Sequence, residues 1–184
     1  ESQMKKQTRS TVFLAQGAMI AAIYTVLTLL AATMNLAYGP VQFRFSEALT
    51  ILPLFTPAAI PGLTIGCLLS NLFSGYGAAD MIFGTLATLL AAIAPHKVRN
   101  VRIKHIPWLA PLPPVVFNAV IVGAEIAFFA PEGFLWAGFA ASALSVGLGE
   151  LAVCYILGLP LAVFMERTGL SRYLTDGPLR LSSR

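Results

Sequence analysis

Apolar runs broken by short polar segments lay out this chain. Residues 12–34 form a clear, largely apolar first span, long enough at ~1.5 Å per residue to cross a hydrocarbon core of ~30 Å as a helix. After it the apolar character returns in shorter pieces. Residues 46–56, 58–73 and 78–94 read as three short helices divided by Thr56-Pro57 and by Ser74-Gly75-Tyr76-Gly77. Pro53, Pro57 and Pro61 punctuate the first division, because proline removes a backbone donor and disfavours helix at the residue before it. Backbone broken at membrane depth is tolerated only where it is buried in protein or lines a cavity. Two longer runs, 107–130 and 136–165, lie on either side of Pro131-Glu132-Gly133. The pattern predicts an all-α integral membrane protein of six transmembrane helices in one domain, with short broken helices in its first half.

The polar segments orient that plan. Eleven of the twelve Lys and Arg residues fall before the first run (Lys5, Lys6, Arg9), in a central cluster (Lys97, Arg99, Arg102, Lys104) and in the tail (Arg167, Arg172, Arg180, Arg184). Basic residues mark cytoplasmic loops, so both termini and the central loop are expected inside, and residues 46–94 must cross an odd number of times. The twelfth, Arg44, is then alone on the other side and calls for a binding or structural role. Residues 1–11 read as a cytoplasmic N-terminus in which Glu1 to Gln3 are an appended remnant before Met4. Residues 12–166 read as the membrane domain, and 167–184 as a cytoplasmic tail polar enough to be partly disordered. The first run is too long for a signal-peptide core and is expected to be retained.

Composition agrees with a membrane setting. The chain is 57% hydrophobic and 11% charged, with a mean hydropathy of +0.78, too few charges to clothe a soluble domain. The net charge of +4 comes from the loops and points to anionic lipid or an intracellular partner rather than nucleic acid. Cys67 and Cys154 lie inside apolar stretches and read as packing residues, not a disulfide.

Against this background Arg44, Glu47, Asn71, Asp80, Asn118, Glu125 and Glu150 are costly, since a charge at the bilayer centre is disfavoured by ~2.5 to 3.5 kcal/mol on insertion scales. Arg44, Glu47, Asn71, Asp80 and Glu125 all fall near the same ends of their segments, so they converge on one side of the membrane. Asn118 and Glu125 are seven residues apart, close to two turns, and share a helix face. Glu150 sits beside Gly147 and Gly149, where a ligand or a neighbouring backbone can approach closely. These residues, with Tyr76 at the predicted mouth, are the candidate substrate-binding set. Tyr38, Phe43, Phe45 and Trp136 are the other aromatics there, as an interfacial belt or as stacking surfaces. The set suits a flat, hydrogen-bonding, cationic small molecule better than an anion. A plainer reading stays open: Arg44 and Glu47 pairing across one turn, Asp80 and Glu125 in headgroup water, and the two amides joining helices.

Other chemistries are disfavoured. His96 and His105 flank the basic cluster, so no Ser-His pair or H-E-x-x-H metal site forms within the bilayer, and neither catalytic nor metal-ligating residues are assigned. No G-x-x-x-x-G-K-[ST] stretch exists, so ATP-driven transport needs a partner ATPase.

The sequence resembles the substrate-binding S components of energy-coupling factor transporters, in particular the QueT-type queuosine-precursor group. The resemblance rests on Gln42-Phe43-Arg44-Phe45-Ser46-Glu47-Ala48-Leu49, on Leu52-Pro53 through Pro57-Ala58-Ala59-Ile60-Pro61-Gly62, and on Asp80-Met81-Ile82-Phe83-Gly84-Thr85-Leu86-Ala87-Thr88-Leu89, and it covers residues 12–166. It implies a six-helix binding subunit in a prokaryotic plasma membrane. Its partners would be a transmembrane coupling subunit and two cytoplasmic ATPases that hydrolyse the ATP, this chain binding no cofactor itself. Ala18 and Ala22 match the small-x-x-x-small element by which such proteins dock on the coupling subunit, although helix packing within the chain is an equal reading of the pair. The implied substrate is a 7-deazaguanine, such as the 7-aminomethyl compound or queuine. On this footing Glu125 and Glu150 are expected to touch ligand, with Asn118 on the purine-like edge and Arg44 and Glu47 in a salt bridge that holds the first loop as a lid. Which acid reads which edge stays open. The alternatives are an S component for another vitamin-like planar cation, or an autonomous proton-coupled transporter for which Glu150 would carry the proton.

Overall fold

The computed structural model of the protein describes residues 2–38 and 41–176. Arg180, Arg184 and the end of the tail lie outside the described residues. Among the described residues seven α-helices carry the fold: α1 Ser2–Thr33, α2 Ala59–Asn71, α3 Ala78–Lys97, α4 Leu112–Phe128, α5 Trp136–Ala152, α6 Leu159–Thr168 and α7 Leu170–Asp176. A 3-10 helix, Phe45–Leu54, precedes α2, and a π-helical turn, Val153–Gly158, joins α5 to α6. Among the described residues there are no strands, only an isolated bridge between Ile103 and Ile106. The chain is an all-α membrane protein. Arg9–Thr33, Ala78–Lys97 and the continuous stretch Trp136–Thr168 are long and apolar enough to cross a bilayer, while the 3-10 helix, α2 and α4 are shorter apolar helices.

Proline explains where the elements depart from the apolar runs. The run at 107–130 forms helix only from Leu112, because Pro107 and Pro111 keep the chain in turns and Pro113 and Pro114 then occupy the first helical turn, where no donor is required. The segment expected as a short helix over 46–56 is a 3-10 helix with Pro53 inside it. Runs of that form beyond a few residues are uncommon, yet its ~2.0 Å rise per residue gives ten residues a reach of ~20 Å. Opposite it, Pro160 cannot donate to the carbonyl four residues back. The turn before it loosens to π geometry, with the Leu159 N–H reaching the Cys154 carbonyl instead.

The 3-10 helix is the central strut. Eight of its ten residues, from Ser46 to Leu54 with only Leu49 partly exposed, are buried, and it contacts α1, α2, α3, α6 and the π turn. Ile51, Leu52 and Leu54 join Ile20, Tyr24, Leu63 and Met165 in the main apolar core. A smaller core of Ala87, Val122 and Val146 ties α3, α4 and α5 together. Helix α1 packs on α2 with almost no gap: a Cβ at Gly66 would stand 2.9 Å from the Ala21 carbonyl and 2.9 Å from Tyr24 Cβ, and one at Gly62 would stand 2.7 Å from the Gly17 carbonyl. The small residues that let these helices meet are therefore Gly17 and Ala21, and the neighbouring stripe of Ala18 and Ala22 is exposed.

Although the tail's polarity predicts partial disorder, its described part forms α7. That helix is tied down by the Gln16 side chain, whose Nε2 donates to the Leu174 carbonyl at 3.2 Å, and by Thr175 Oγ1, which donates to the Phe55 carbonyl at 3.2 Å. The basic end of the bundle is held by an Arg102–Glu166 ion pair at 2.7 Å and by His96, whose Nδ1 lies 2.7 Å from the Pro53 carbonyl.

The α1–α2 contact generates a direct test. Gly66→Leu should force the helices apart and lower stability by ~1 to 3 kcal/mol, the usual range for overpacking. Thermal unfolding in detergent measures it, and an unchanged midpoint would mean that the helices do not meet at Gly66.

Candidate substrate-binding site

The site begins on α1, where Tyr24 and Thr28 are fully buried one turn apart in the largely apolar part of the helix. A hydroxyl buried in such surroundings needs a partner. The Tyr24 hydroxyl donates to Glu47 Oε1. Thr28 Oγ1 donates to the Tyr24 carbonyl at 2.9 Å or shares a 2.6 Å hydrogen bond with Ser46 Oγ. This polar seam fixes the first turn of the 3-10 helix against α1 and aims Glu47 inward.

Arg44 precedes that turn in an extended conformation, φ −79° and ψ 104°, so its side chain leaves in a different direction from Glu47. It is 4% exposed. Its Nε donates to the Ala37 carbonyl at 2.7 Å, Nη1 to Asn71 Oδ1 at 3.4 Å, and Nη2 stands 3.6 Å from Asp80 Oδ2. The Tyr38 ring covers the guanidinium, its centroid 5.2 Å away, and the Tyr38 hydroxyl donates to the Ser70 carbonyl at 2.6 Å. The expected Arg44–Glu47 salt bridge is thus replaced by Arg44–Asp80 and Tyr24–Glu47. The first loop is fastened by Arg44 and Tyr38 to the ends of α2 and α3, not by a local pair across one turn.

Asn71 and Asp80 form the joint between α2 and α3. Asn71 Nδ2 donates to the Asp80 carbonyl at 2.8 Å, and both side chains fill the space left by Gly84, where a Cβ would stand 2.7 Å from Asp80 Oδ1 and 2.8 Å from Asn71 Nδ2. Asn118 and Glu125 project from the buried face of α4. Glu150, 3% exposed, lies one turn before Cys154, whose Sγ donates weakly to Glu150 Oε2 at 3.7 Å. Asn118 lies near both Glu47 and Glu150, although its Nδ2 makes no hydrogen bond of ordinary geometry. Glu125 lies within electrostatic range of Asp80 and Arg44. The approach that Gly149 permits is taken by backbone: the Gln42 carbonyl packs directly on it.

Seven of the eight candidate residues are therefore buried, with Arg44, Asn71 and Asp80 in one bonded group and Glu47 and Glu150 gathered at Cys154. Tyr76 is apart from them: the side chain is half-buried and the hydrogen bond seen at this residue runs from its backbone N–H to Ser74 Oγ at 3.1 Å. Trp136 is 77% exposed and packs edge-on with Phe134 and Phe139, as an interfacial aromatic does. Tyr24, Thr28, Ser46 and Cys154 were not among the expected site residues. A tyrosine and a threonine in mid-span, far from either aromatic belt, were the available signal for the first two.

The cluster is both charged and incompletely hydrogen-bonded. Four carboxylates and one guanidinium are buried together, an excess of three negative formal charges. Glu47 Oε2, Asp80 Oδ2, both oxygens of Glu125, Arg44 Nη2 and Asn118 Nδ2 are buried without a hydrogen-bond partner. Each such group costs ~1 to 3 kcal/mol when left unsatisfied. A ligand carrying several N–H donors and a positive charge would satisfy most of them at once.

Comparison with known proteins adds a family. A family model described as QueT transporter matches residues 14–167. Over 73 residues the chain is 41% identical to the queuosine precursor transporter QueT of Lactococcus lactis subsp. cremoris (strain MG1363), a stretch covering 40% of this chain and 43% of that protein. The match thus spans less than half of that relative's length. No solved structure matches.

The Arg44–Asp80 pair generates a second test. Asp80→Ala leaves a buried guanidinium uncompensated and should destabilise the protein by ~3 to 5 kcal/mol, whereas Arg44→Met combined with Asp80→Leu should recover most of that loss. Thermal unfolding of the single and double variants decides it; equal instability of both would show that the pair is not the source.

Proposed function

The chain belongs to the QueT transporter family, and from that premise we propose that it is the substrate-binding S component of an energy-coupling factor importer. It captures a queuosine precursor of the 7-deazaguanine class from the extracytoplasmic side of the plasma membrane. The observation that carries this reading is the buried acidic cluster with its unpartnered oxygens. A deazaguanine offers an amide N–H beside an exocyclic amine, and an aminomethyl arm adds a cation. Those groups are what the cluster lacks.

In this reading α1, the 3-10 helix, α2, α3, α4 and the α5–π–α6 unit are the six crossings, with both termini and the basic loops in the cytoplasm. The 3-10 helix and α2 are short for a bilayer, but the first is buried almost throughout, which is the condition under which irregular backbone is stable at that depth. Arg44, Asp80 and Glu125 then lie toward the outside, within reach of an arriving ligand. A transmembrane coupling subunit and two ATPases supply the energy, since this chain has no nucleotide-binding loop. The exposed Ala18 and Ala22 stripe, beside Met19 at 57% and Val26 at 64% exposure, supports α1 as the docking helix, because small residues let a partner helix come close.

The purified chain should bind a 7-deazaguanine without ATP or partners, and in sealed vesicles containing it alone there should be binding but no accumulation, with or without a proton or sodium gradient. Adding the coupling subunit and ATPases should make uptake depend on ATP. Accumulation by the solitary chain under a gradient would overturn the importer and favour a proton-coupled carrier built on Glu150.

Ala18→Leu with Ala22→Leu should abolish assembly with the coupling subunit while ligand affinity stays within about twofold, because the stripe faces away from the site. Co-purification and calorimetry read the two effects separately, and normal assembly by the double variant would move the docking face elsewhere.

A further inference from the structure

The buried acids differ in how much of their charge is compensated. Toward the start of α3, Glu125 and Asp80 share one guanidinium, that of Arg44, which stands 3.6 Å from Asp80 and within electrostatic range of Glu125. Farther along the site Glu47 and Glu150 meet at Cys154, whose Sγ lies 3.8 Å from the Glu47 carbonyl and 3.7 Å from Glu150 Oε2. Among the described residues no cation pairs with either of those two carboxylates, and Arg44 acts on them only at longer range. Counted as formal charges, Asp80, Glu125 and Arg44 sum to minus one, and Glu47 with Glu150 to minus two.

The free oxygens are divided in the same way. Glu125 has both of its oxygens buried and unpartnered, an arrangement that accepts two parallel N–H donors side by side. Glu47 has only Oε2 free, because the Tyr24 hydroxyl holds Oε1. Glu150 has one oxygen in weak contact with Cys154. Two neighbouring carboxylates, each with one oxygen already engaged by Tyr24 or Cys154, match a compact ammonium better than a flat donor edge. Asn118 and Glu125 are seven residues apart on α4, so ~1.5 Å per residue separates the two ends by ~10 Å, enough to seat a bicyclic ring between them.

We propose that Glu125 reads the ligand edge bearing two adjacent N–H donors, and that Glu47 and Glu150 together hold a cationic arm at the opposite end, with Tyr24 as the positioning residue that leaves Glu47 one free oxygen. This assignment rests on the reading of the site as the receptor of an aminated planar heterocycle. It divides the acids by role: Asp80 holds Arg44, Glu125 selects the ring, and the Glu47–Glu150 pair selects the charge.

The test is a grid of ligands against variants, measured by competition binding on the full-length protein in detergent. The probes are 7-aminomethyl-7-deazaguanine, its analogue lacking the exocyclic amine, and 7-methyl-7-deazaguanine, which lacks the ammonium nitrogen. The unaltered protein should bind each analogue about 10- to 100-fold more weakly than the parent, as expected for a hydrogen bond to a charged group. Glu125→Gln should erase the first discrimination and keep the second. Glu47→Gln and Glu150→Gln should erase the second and keep the first, and Tyr24→Phe should weaken the second alone, which a merely structural loss would not do. A variant that binds too weakly to score is replaced by its Asp counterpart and read by the same two ratios. The opposite pattern, or ratios that no variant changes, would overturn the assignment. If the unaltered protein does not bind the parent compound, it is the proposed substrate class that fails.

Discussion

Holding four carboxylates and one guanidinium out of water is the constraint on which the rest of this structure turns. Each buried ion carries a desolvation penalty of several kcal/mol that only close partners can offset, and in a membrane protein the surroundings supply none. The structure supplies some of these partners: the Ala37 carbonyl, Asn71 and Asp80 around Arg44, and Tyr24 on Glu47. It withholds others, leaving oxygens of Glu47 and Glu125 unsatisfied. An incompletely satisfied buried network is a liability in a structural core and an asset in a receptor, because the missing partners define what will bind.

The two irregular helices stand next to the charges they serve. The 3-10 helix begins at Phe45 and carries Glu47, and the π turn begins three residues after Glu150. They touch each other where Gly158 meets the Ala48 backbone, a Cβ there falling 3.2 Å from the Ala48 carbonyl, and where Cys154 Sγ reaches Thr50 Oγ1 at 3.9 Å. A proline stands in the first and just after the second, Pro53 and Pro160, and the contact of the two segments brings Glu47 and Glu150 together at Cys154. Helix α1 is the regular counterpart. One of its faces carries Tyr24 and Thr28 into the polar seam, and another is bare at Ala18 and Ala22, so a single helix joins the buried polar cluster to an open surface.

Much of this was legible from the order of residues alone. Apolar runs, proline positions and the clustering of Lys and Arg depend only on local composition, and they identified the helical membrane architecture and the breaks at Thr56-Pro57 and Ser74–Gly77. Burial of Arg44, Glu47, Asn71, Asp80, Asn118, Glu125 and Glu150 was equally legible, because a charged or amide group in an apolar run has few stable places to go. Pairing was not. Arg44 and Glu47, three residues apart, invited a local ion pair, but a single extended residue at the start of the 3-10 helix sends their side chains to different neighbours, Asp80 and Tyr24. Likewise Ala18 and Ala22 could not be told from Gly17 and Ala21 as the stripe that packs on α2, since the choice depends on a rotation of α1 that contacts with Gly62 and Gly66 set. Sequence by itself determined which residues could not face lipid, a matter of transfer free energy residue by residue. Only the tertiary structure decided which of them compensate one another and which keep atoms without a hydrogen-bond partner, because that depends on directions and distances between helices far apart in the chain.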